Sequence, residues 1–305
     1  MQHMPVMLEE VLKLLKKANI PANSYIADLT LGKGGHFNEM LKSHSNLIGV
    51  DNDIDYINLA IEKFTNFGFK EINTEGNYAN LFNPIDKSNL FFINSNFIDS
   101  FDFFIENKLQ VSFLLADLGL NMQQLKESKR GFSFDELESN IDMRLNTKTQ
   151  RIKASDILNA ASKESLINIF KNYGECRNSK TLAEKIIYKR KFKTIKTVED
   201  FLKITNLQRK NERIHPATKP FMALRIAVNN ELENLNTLLN KAHTYFKKNL
   251  KGTLVIITFH SLEERVVEQF CQDKKLQYLK LMPKADEVLK NKSSRSAKIY
   301  SIEIC

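Results

Sequence analysis

Short apolar runs alternate with amphipathic stretches along the first third of the chain. Four apolar runs, at residues 25–29, 47–50, 90–93 and 111–116, have the length and composition of β-strands. Residues 54–64 instead repeat their apolar positions at helical spacing. Strands that alternate with helices are typical of a parallel sheet with crossover helices, so the pattern predicts an α/β fold.

The pattern changes at residues 121–214, where apolar positions recur at helical spacing and no convincing strand is visible. Apolar residues then step by three and four from Phe221 to Leu239, which predicts one long amphipathic helix. Residues 253–259 predict a further strand, and the alternation at residues 298–304 predicts a final edge strand. We therefore predict a sheet domain, residues 1–120 and 215–305, interrupted by an all-helical domain at residues 121–214.

The chain carries a formal net charge of +9, and all of this excess lies in the predicted helical domain. Residues 121–214 hold 21 Lys and Arg against 12 Asp and Glu, whereas the remaining residues hold 24 of each. A concentrated basic region is typical of proteins that bind a polyanion such as nucleic acid. The alternative is a solvated helical surface in a lysine-rich chain.

Other features of the composition exclude several classes of protein. Apolar residues make up 42% of the chain, yet no run approaches the roughly 18 apolar residues of a membrane span. The three cysteines are far apart, so neither a disulfide framework nor a zinc site is supported, and we predict no metal. Because Glu9 and Glu10 lie at the N-terminus, no signal peptide is expected and the predicted location is the cytoplasm.

A glycine-rich turn between the first strand and the following helix has the character of a nucleotide site. Residues 32–36 read Gly-Lys-Gly-Gly-His, and Asp51 ends the next predicted strand, where a carboxylate can hold both hydroxyls of a ribose. A tight turn with Asp51 as a helix cap is the alternative. Dinucleotide sites usually carry a third glycine, which is absent here, so the pattern favours S-adenosylmethionine over NAD. Asp28 and Asp117 also end predicted strands, at the same edge of the sheet.

Several strings of residues, in this order along the chain, carry a family resemblance. They read HMPV at residues 3–6, GKGGH at 32–36, DLGL at 117–120, RGFSF at 130–134, DMR at 142–144, YGE at 173–175, HPAT at 215–218, ALRIAVNNEL at 223–232 and FHSLEER at 259–265. The chain thus closely resembles the bacterial 16S ribosomal RNA (cytosine-N4) methyltransferase family, also called the RsmH/MraW family. The resemblance implies a class I, Rossmann-like S-adenosylmethionine methyltransferase domain with an inserted helical substrate domain.

The resemblance also implies an activity and a set of site residues. The activity is methylation of the N4 amine of a P-site cytidine in the decoding centre, with 16S rRNA of the small ribosomal subunit as partner. The implied cofactor contacts are Gly34, Gly35, His36, Asp51, Phe97, Asp117 and Gln124. Asp117 is the predicted catalytic acceptor of a hydrogen bond from the target amine, with Asn121 beside it. This chain carries Asn121 and Met122 where the family usually has two serines.

Predicted substrate contacts lie mostly in the basic segment. The residues concerned are Arg144, Tyr173, His215 and His260, with further phosphate contacts at Arg177, Lys189, Arg190, Lys191 and Lys193. Phe132, Phe134 and Tyr173 can stack on a flipped base, or they can belong to the core of the helical domain. Near His260, Ser261 as N-cap and Glu264 three residues later predict a capping box.

Two other functions stay open from the sequence. One is a methyltransferase with a different acceptor, and the other is an RNA-binding assembly protein whose cofactor site has decayed. Binding of the methyl donor, followed by methyl transfer, separates these classes. The sequence leaves the oligomeric state open, including a homodimer, and we expect no membrane partner.

Overall fold

The computed structural model describes residues 4–119, 129–148, 150–205, 215–249 and 251–305. The strands are β1 Tyr25–Asp28, β2 Asn46–Asp51, β3 Lys70–Glu75, β4 Tyr78–Phe82, β5 Asn89–Asn94, β6 Val111–Asp117, β7 Gly252–Thr258, β8 Tyr278–Leu281 and β9 Lys298–Ile304. The α-helices are α1 Leu8–Lys17, α2 Gly35–Leu41, α3 Ile54–Asn66, α4 Ser100–Glu106, α5 Ala154–Ala160, α6 Lys163–Asn172, α7 Ser179–Arg190, α8 Val198–Thr205, α9 Thr218–Asn229, α10 Glu231–Asn249, α11 Ser261–Lys274 and α12 Ala285–Lys290.

Within the described residues, nine strands form one sheet in the order β3-β4-β5-β2-β1-β6-β7-β9-β8. The five central strands, from β5 to β7, are parallel, whereas all the pairings of β3, β4, β9 and β8 are antiparallel. The chain adds β2 and β5 on one side of β1, and it then adds β6 and β7 on the other side. The strand order therefore reverses between β1 and β6. In open α/β sheets, the crevice at such a reversal is where ligands bind, at the carboxyl ends of the strands.

Alternate residues of each central strand enter two different apolar cores. Leu114 and Ala116 of β6 pack into one cluster, and Phe113 and Leu115 pack into the other. This alternation follows from the period of two residues in a strand. Burial on both faces explains why the central strands read as almost continuous apolar runs. The mixed α/β architecture with a large central sheet therefore agrees with the sequence pattern.

The chain divides into two compact units. We call residues 1–119 and 233–305 the sheet unit, and residues 120–232 the insert unit. Regular structure in the described part of the insert unit consists of helices α5 to α9 and an isolated bridge between Asn140 and Thr197. Its buried apolar core includes Leu158, Phe170 and Phe201.

The sequence predicts that the insert ends at residue 214, but the structure places this second boundary later in the chain. Helix α9 buries Phe221 and Leu224 in the core of the insert unit, so the division falls at residue 232 instead. The predicted long helix from Phe221 to Leu239 is also wrong, because α9 and α10 are separate helices. Asn230 lies between them with a left-handed backbone, at φ 50° and ψ 37°, which interrupts the helical path.

The predicted strands of the central sheet are confirmed, but the edges of the sheet are different. Strand β9 is not an edge strand, since it lies between β7 and β8. Strand β8 has only four residues, and β3 is exposed at every position, so neither shows the apolar alternation that indicates a strand. Among the described residues, no helix is both long enough and apolar enough to cross a bilayer.

Candidate functional site

Three carboxylates lie at the carboxyl ends of neighbouring parallel strands in the sheet unit. Asp51 ends β2, Asp28 ends β1 and Asp117 ends β6. Because β1 lies between β2 and β6, all three residues are at the edge of the sheet where the strand order reverses. Asp28 is only 2% exposed. Burial raises the pKa of the Asp28 carboxyl to about 6, although the nearby His36 lowers it.

The glycine-rich turn is bound to Asp51. The backbone N–H of Gly32 donates to Asp51 Oδ2 at 2.8 Å, and the N–H of Asp53 donates to Oδ1 at 2.9 Å. Gly32 and Gly34 have φ values of 49° and 72°, which glycine adopts without strain. Burial raises the pKa of Asp51 to about 6, against backbone hydrogen bonds from Asp53, Gly32 and Asn52 that lower it. Asp51 therefore orders the turn, and its contact with a ribose stays a prediction.

Thr30 links the carboxylate of Asp28 to the backbone of Asp117, a role that the sequence reasoning missed. Its Oγ1 accepts a hydrogen bond of 2.7 Å from the backbone N–H of Asp117. The N–H of Thr30 in turn donates to Asp28 Oδ1 at 3.1 Å. A polar residue two positions after Asp28, among leucines, is the signal that could have identified it.

His36 faces Asp117 from the start of α2. Its Nε2 donates to the carbonyl oxygen of Val6 at 2.9 Å, which places a proton on Nε2. The other ring nitrogen, Nδ1, lies 3.9 Å from Asp117 Oδ2, and the residue is 5% exposed. A Cβ on Gly35 would lie 2.6 Å from Pro5 Cγ, so the segment around Pro5 packs tightly against this turn.

The residues after β6 and β7 meet beside Asp117. The N–H of Gly119 donates to Asp117 Oδ1 at 3.1 Å, and a Cβ on Gly119 would lie 2.7 Å from Phe259 Cζ. His260 follows Phe259 and is itself the N-cap of α11, with Glu263 completing the capping box. The predicted cap at Ser261 with Glu264 is therefore wrong by one residue.

Phe97 lies in the loop that follows β5. The N–H of Ser95, in the same loop, donates to the carbonyl oxygen of Asp51 at 3.0 Å, which ties this loop to the end of β2. Phe97 is partly buried against the core of the sheet unit. The sheet unit thus gathers at one edge the predicted residues Gly34, Gly35, His36, Asp51, Phe97, Asp117 and His260. Asn121 and Gln124 lie outside the described residues.

The other predicted substrate residues belong to the insert unit. Arg144 forms a two-pronged ion pair with Asp142, with Nε–Oδ1 and Nη2–Oδ2 distances of 2.7 and 2.8 Å. The ring of His215 stacks on Phe134 at 4.7 Å between centroids and 11° between planes. Tyr173 is partly buried against the core of this unit. These contacts give Arg144 and Tyr173 structural roles, and their contact with RNA stays a prediction.

Several residues expected to touch RNA have partners inside the insert unit. Phe132 is 9% exposed and belongs to the core, with the guanidinium carbon of Arg130 5.6 Å from its ring centroid. Arg190 donates to the carbonyl oxygens of Leu158 and Ala161, at 3.1 and 2.8 Å. Lys193 binds Asp200 at 2.7 Å.

Comparisons with known proteins extend over the whole chain. A family model described as the MraW methylase family matches residues 1–305. A protein of Dictyoglomus thermophilum named "Ribosomal RNA small subunit methyltransferase H" is 37% identical over 305 residues, covering 97% of this chain and 95% of the relative. Proteins of the same name from Borrelia turicatae and Nautilia profundicola are 36% and 38% identical. Those two matches cover 99% and 87% of this chain, and 97% and 78% of the relatives.

Proposed function

Since this chain belongs to the MraW methylase family and is therefore a methyltransferase, we propose that it methylates 16S rRNA with S-adenosylmethionine as donor. The acceptor is the N4 amine of a cytidine in the P site of the decoding centre. The names of the similar proteins support ribosomal RNA of the small subunit as the substrate class. The net charge of +9, concentrated between residues 121 and 214, supports a polyanionic partner. The assembled small subunit in the cytoplasm is the substrate in this proposal.

The architecture supports a class I, Rossmann-like methyltransferase domain with an inserted helical domain for RNA recognition. The central strands are parallel, and their order reverses between β1 and β6, where the acidic residues lie. The insert follows β6 directly, next to Asp117 in the chain.

The observation that carries the proposal is the cluster of Asp28, Asp51 and Asp117 around the glycine-rich turn. Carboxylates suit both the ribose hydroxyls and the positive charge of S-adenosylmethionine. A Cβ on Gly32 would contact only the carbonyl oxygen of Thr30, at 3.9 Å, so the turn leaves room for a ligand beside its backbone. When bound, S-adenosylmethionine supplies a methyl group made electrophilic by the sulfonium. The residues that would hold it are Gly34, Gly35, His36, Asp51, Phe97, Asp117 and Gln124.

Asp117 is the proposed acceptor for a hydrogen of the target amine. Its backbone is fixed by Thr30 and its Oδ1 accepts from Gly119, while Oδ2 lies 3.9 Å from Nδ1 of His36. A carboxylate that accepts an N4 hydrogen directs the nitrogen lone pair toward the methyl donor and takes up the proton afterwards. Asn121 is proposed to assist Asp117 as its neighbour in the chain.

The remaining proposed roles concern substrate recognition. Arg144, Tyr173, His215 and His260 are proposed to contact the rRNA near the target base. The stack of His215 on Phe134 presents an exposed imidazole in the insert unit, which suits a base or a phosphate. A homodimer stays a prediction, which light scattering of the purified protein would test.

The proposal is tested by transfer of a labelled methyl group to small subunits that lack the modification, followed by mass analysis of the nucleosides. N4-methylcytidine at the P-site position is the expected product. The matched variant Asp117→Ala should remain folded and give no product.

Two results would contradict the proposal in different ways. Transfer to another nucleoside would overturn the acceptor and leave the cofactor in place. Absence of both transfer and donor binding in the folded wild-type protein would favour an RNA-binding protein without methyltransferase activity.

A further inference from the structure

Two aromatic side chains of the insert unit project into solvent at the end of α7. Tyr188 and Phe192 are 66% and 72% exposed. Their ring centroids are 5.1 Å apart, with 59° between the ring planes. The backbone N–H of Phe192 donates to the carbonyl oxygen of Lys189 at 3.1 Å, so Phe192 continues directly from the helix. Two adjacent exposed rings are uncommon on a soluble surface and mark a candidate binding site.

The rings are surrounded by positive charge. Residues 185–196 contain Lys185, Lys189, Arg190, Lys191, Lys193 and Lys196, and no acidic residue. Arg190 and Lys193 bond to groups within the insert unit, as described above. Lys185, Lys189 and Lys191 are exposed, and no carboxylate of the described residues pairs with any of them.

The acidic residues near this surface are already neutralised. Glu184 pairs with Lys163 at 2.7 Å, and Glu199 pairs with Lys203 at 2.8 Å. Neither glutamate therefore pairs with the three exposed lysines, which are available to an anionic partner. A partner without negative charge would leave the lysines around the rings unpaired, and desolvating them is unfavourable. A nucleic acid supplies both phosphates for the lysines and flat bases for the rings.

We propose that Tyr188 and Phe192, with Lys185, Lys189 and Lys191, form a docking surface for an unpaired segment of the substrate RNA. Unstacked bases lie against the two rings, and the lysines bind the adjacent phosphates. This inference rests on the proposed function, because it names a surface through which the same rRNA is held. The surface contributes affinity for RNA and takes no part in methyl transfer itself.

The test compares binding of small subunits lacking the modification by wild-type protein and by ring variants. The double variant Tyr188→Ala/Phe192→Ala should raise Kd about tenfold or more, as expected for the loss of base stacking. Donor affinity and kcat at saturating subunits should be unchanged. Phe67→Ala, which removes a ring that is 67% exposed in the sheet unit, is the matched control and should leave Kd unchanged.

Replacement of Phe192 alone separates stacking from simple apolar contact. Phe192→Tyr keeps a flat ring and should retain the affinity, whereas Phe192→Leu should lose it. The double variant Lys189→Gln/Lys191→Gln should lower the slope of log Kd against log salt by about 0.7 for each lysine. Lys16→Gln/Lys17→Gln in the sheet unit should leave that slope unchanged.

The outcomes distinguish this surface from the proposed function. If wild-type protein methylates subunits and the ring variants bind them equally well, the docking surface is refuted and the function stands. If the ring variants only abolish self-association, the surface is an interface between copies of the chain, which also refutes the proposal. If wild-type protein binds subunits through these residues but methylates none of them, the docking surface stands and the proposed function fails.

Discussion

Replacing Asp51 by asparagine should make the stability of the protein less dependent on pH and weaken its binding of the donor. Burial raises the pKa of Asp51 from 3.8 to about 6. A carboxyl group with a raised pKa binds its proton more tightly in the folded state. Its contribution to stability is therefore full below pH 4, falls as the pH rises toward 6, and is lost above that value.

The magnitude follows from the change in pKa. A rise from 3.8 to about 6 corresponds to about 3 kcal/mol of folding free energy that the ionised group removes at pH 8. The asparagine side chain cannot ionise, but its amide can accept only one of the hydrogen bonds from Gly32 and Asp53, a loss of about 1–3 kcal/mol at any pH. Between pH 4 and pH 8, wild type should therefore lose about 2–3 kcal/mol of stability that the Asp51→Asn variant does not lose.

Urea denaturation at pH 4 and pH 8 measures the stability. Calorimetry with S-adenosylhomocysteine, which is the donor without its methyl group, measures the affinity of the donor site. Loss of a charged hydrogen-bond acceptor should raise Kd at pH 8 about tenfold or more. In wild type, Kd should rise as the pH falls below about 6, where Asp51 gains a proton. Asp55→Asn, on the exposed first turn of α3, is the control. An equal change in stability between pH 4 and pH 8 in variant and wild type would refute the burial argument, and unchanged donor affinity would refute the ribose contact.

Two further substitutions test how the site is built, and a third tests the break between α9 and α10. Gly119→Ala should lower kcat about tenfold or more, because its Cβ would lie 2.7 Å from Phe259 Cζ and 3.0 Å from Asp117 Oδ1. Phe259→Leu in the same chain should restore part of the activity, and an unimpaired single variant would contradict the packing. Thr30→Val should lower the free energy of unfolding by about 1–3 kcal/mol, because the N–H of Asp117 loses its acceptor. Thr30→Ser should recover most of it, as measured in urea. Asn230→Val should lower stability by about 1–2 kcal/mol, whereas Asn230→Gly should retain it, since the backbone there is left-handed. Equal Tm values for the two Asn230 variants would argue against that strain.

The central sheet was predictable because its strands are buried on both faces. Residues 47–50 and 113–116 form continuous apolar runs for that reason, and they lie within β2 and β6. Strand β3 was not predicted, because its residues are exposed throughout and show no apolar alternation. Its pairing with β4 stabilises it as a strand. Strand β9 was wrongly predicted to be an edge strand, because the short strand β8 that pairs with it has no apolar pattern in the sequence.

At the site, residues with a chemical signature were easier to predict than residues that act through geometry. Asp51 and His36 stand out by residue type and position beside a glycine-rich turn. Thr30 acts through one hydrogen bond to the backbone of Asp117, which lies far away in the chain. The cap at His260 shows the same limit, because Ser261 has the more usual residue type for an N-cap but the helix begins one residue earlier.

The position of the insert between β6 and β7 has a consequence for the order of folding. Strand β6 ends at Asp117, whereas its parallel neighbour β7 begins at Gly252, after the whole insert unit has been synthesised. During translation, one edge of β6 therefore stays unpaired until β7 has been synthesised. The buried side chains that form the insert core all come from residues 120–232, which are synthesised before β7. The insert unit can thus complete its folding on the ribosome before the sheet closes. Closure of the sheet is the slow, non-local step, and it is the stage at which a nascent chain is most exposed to aggregation.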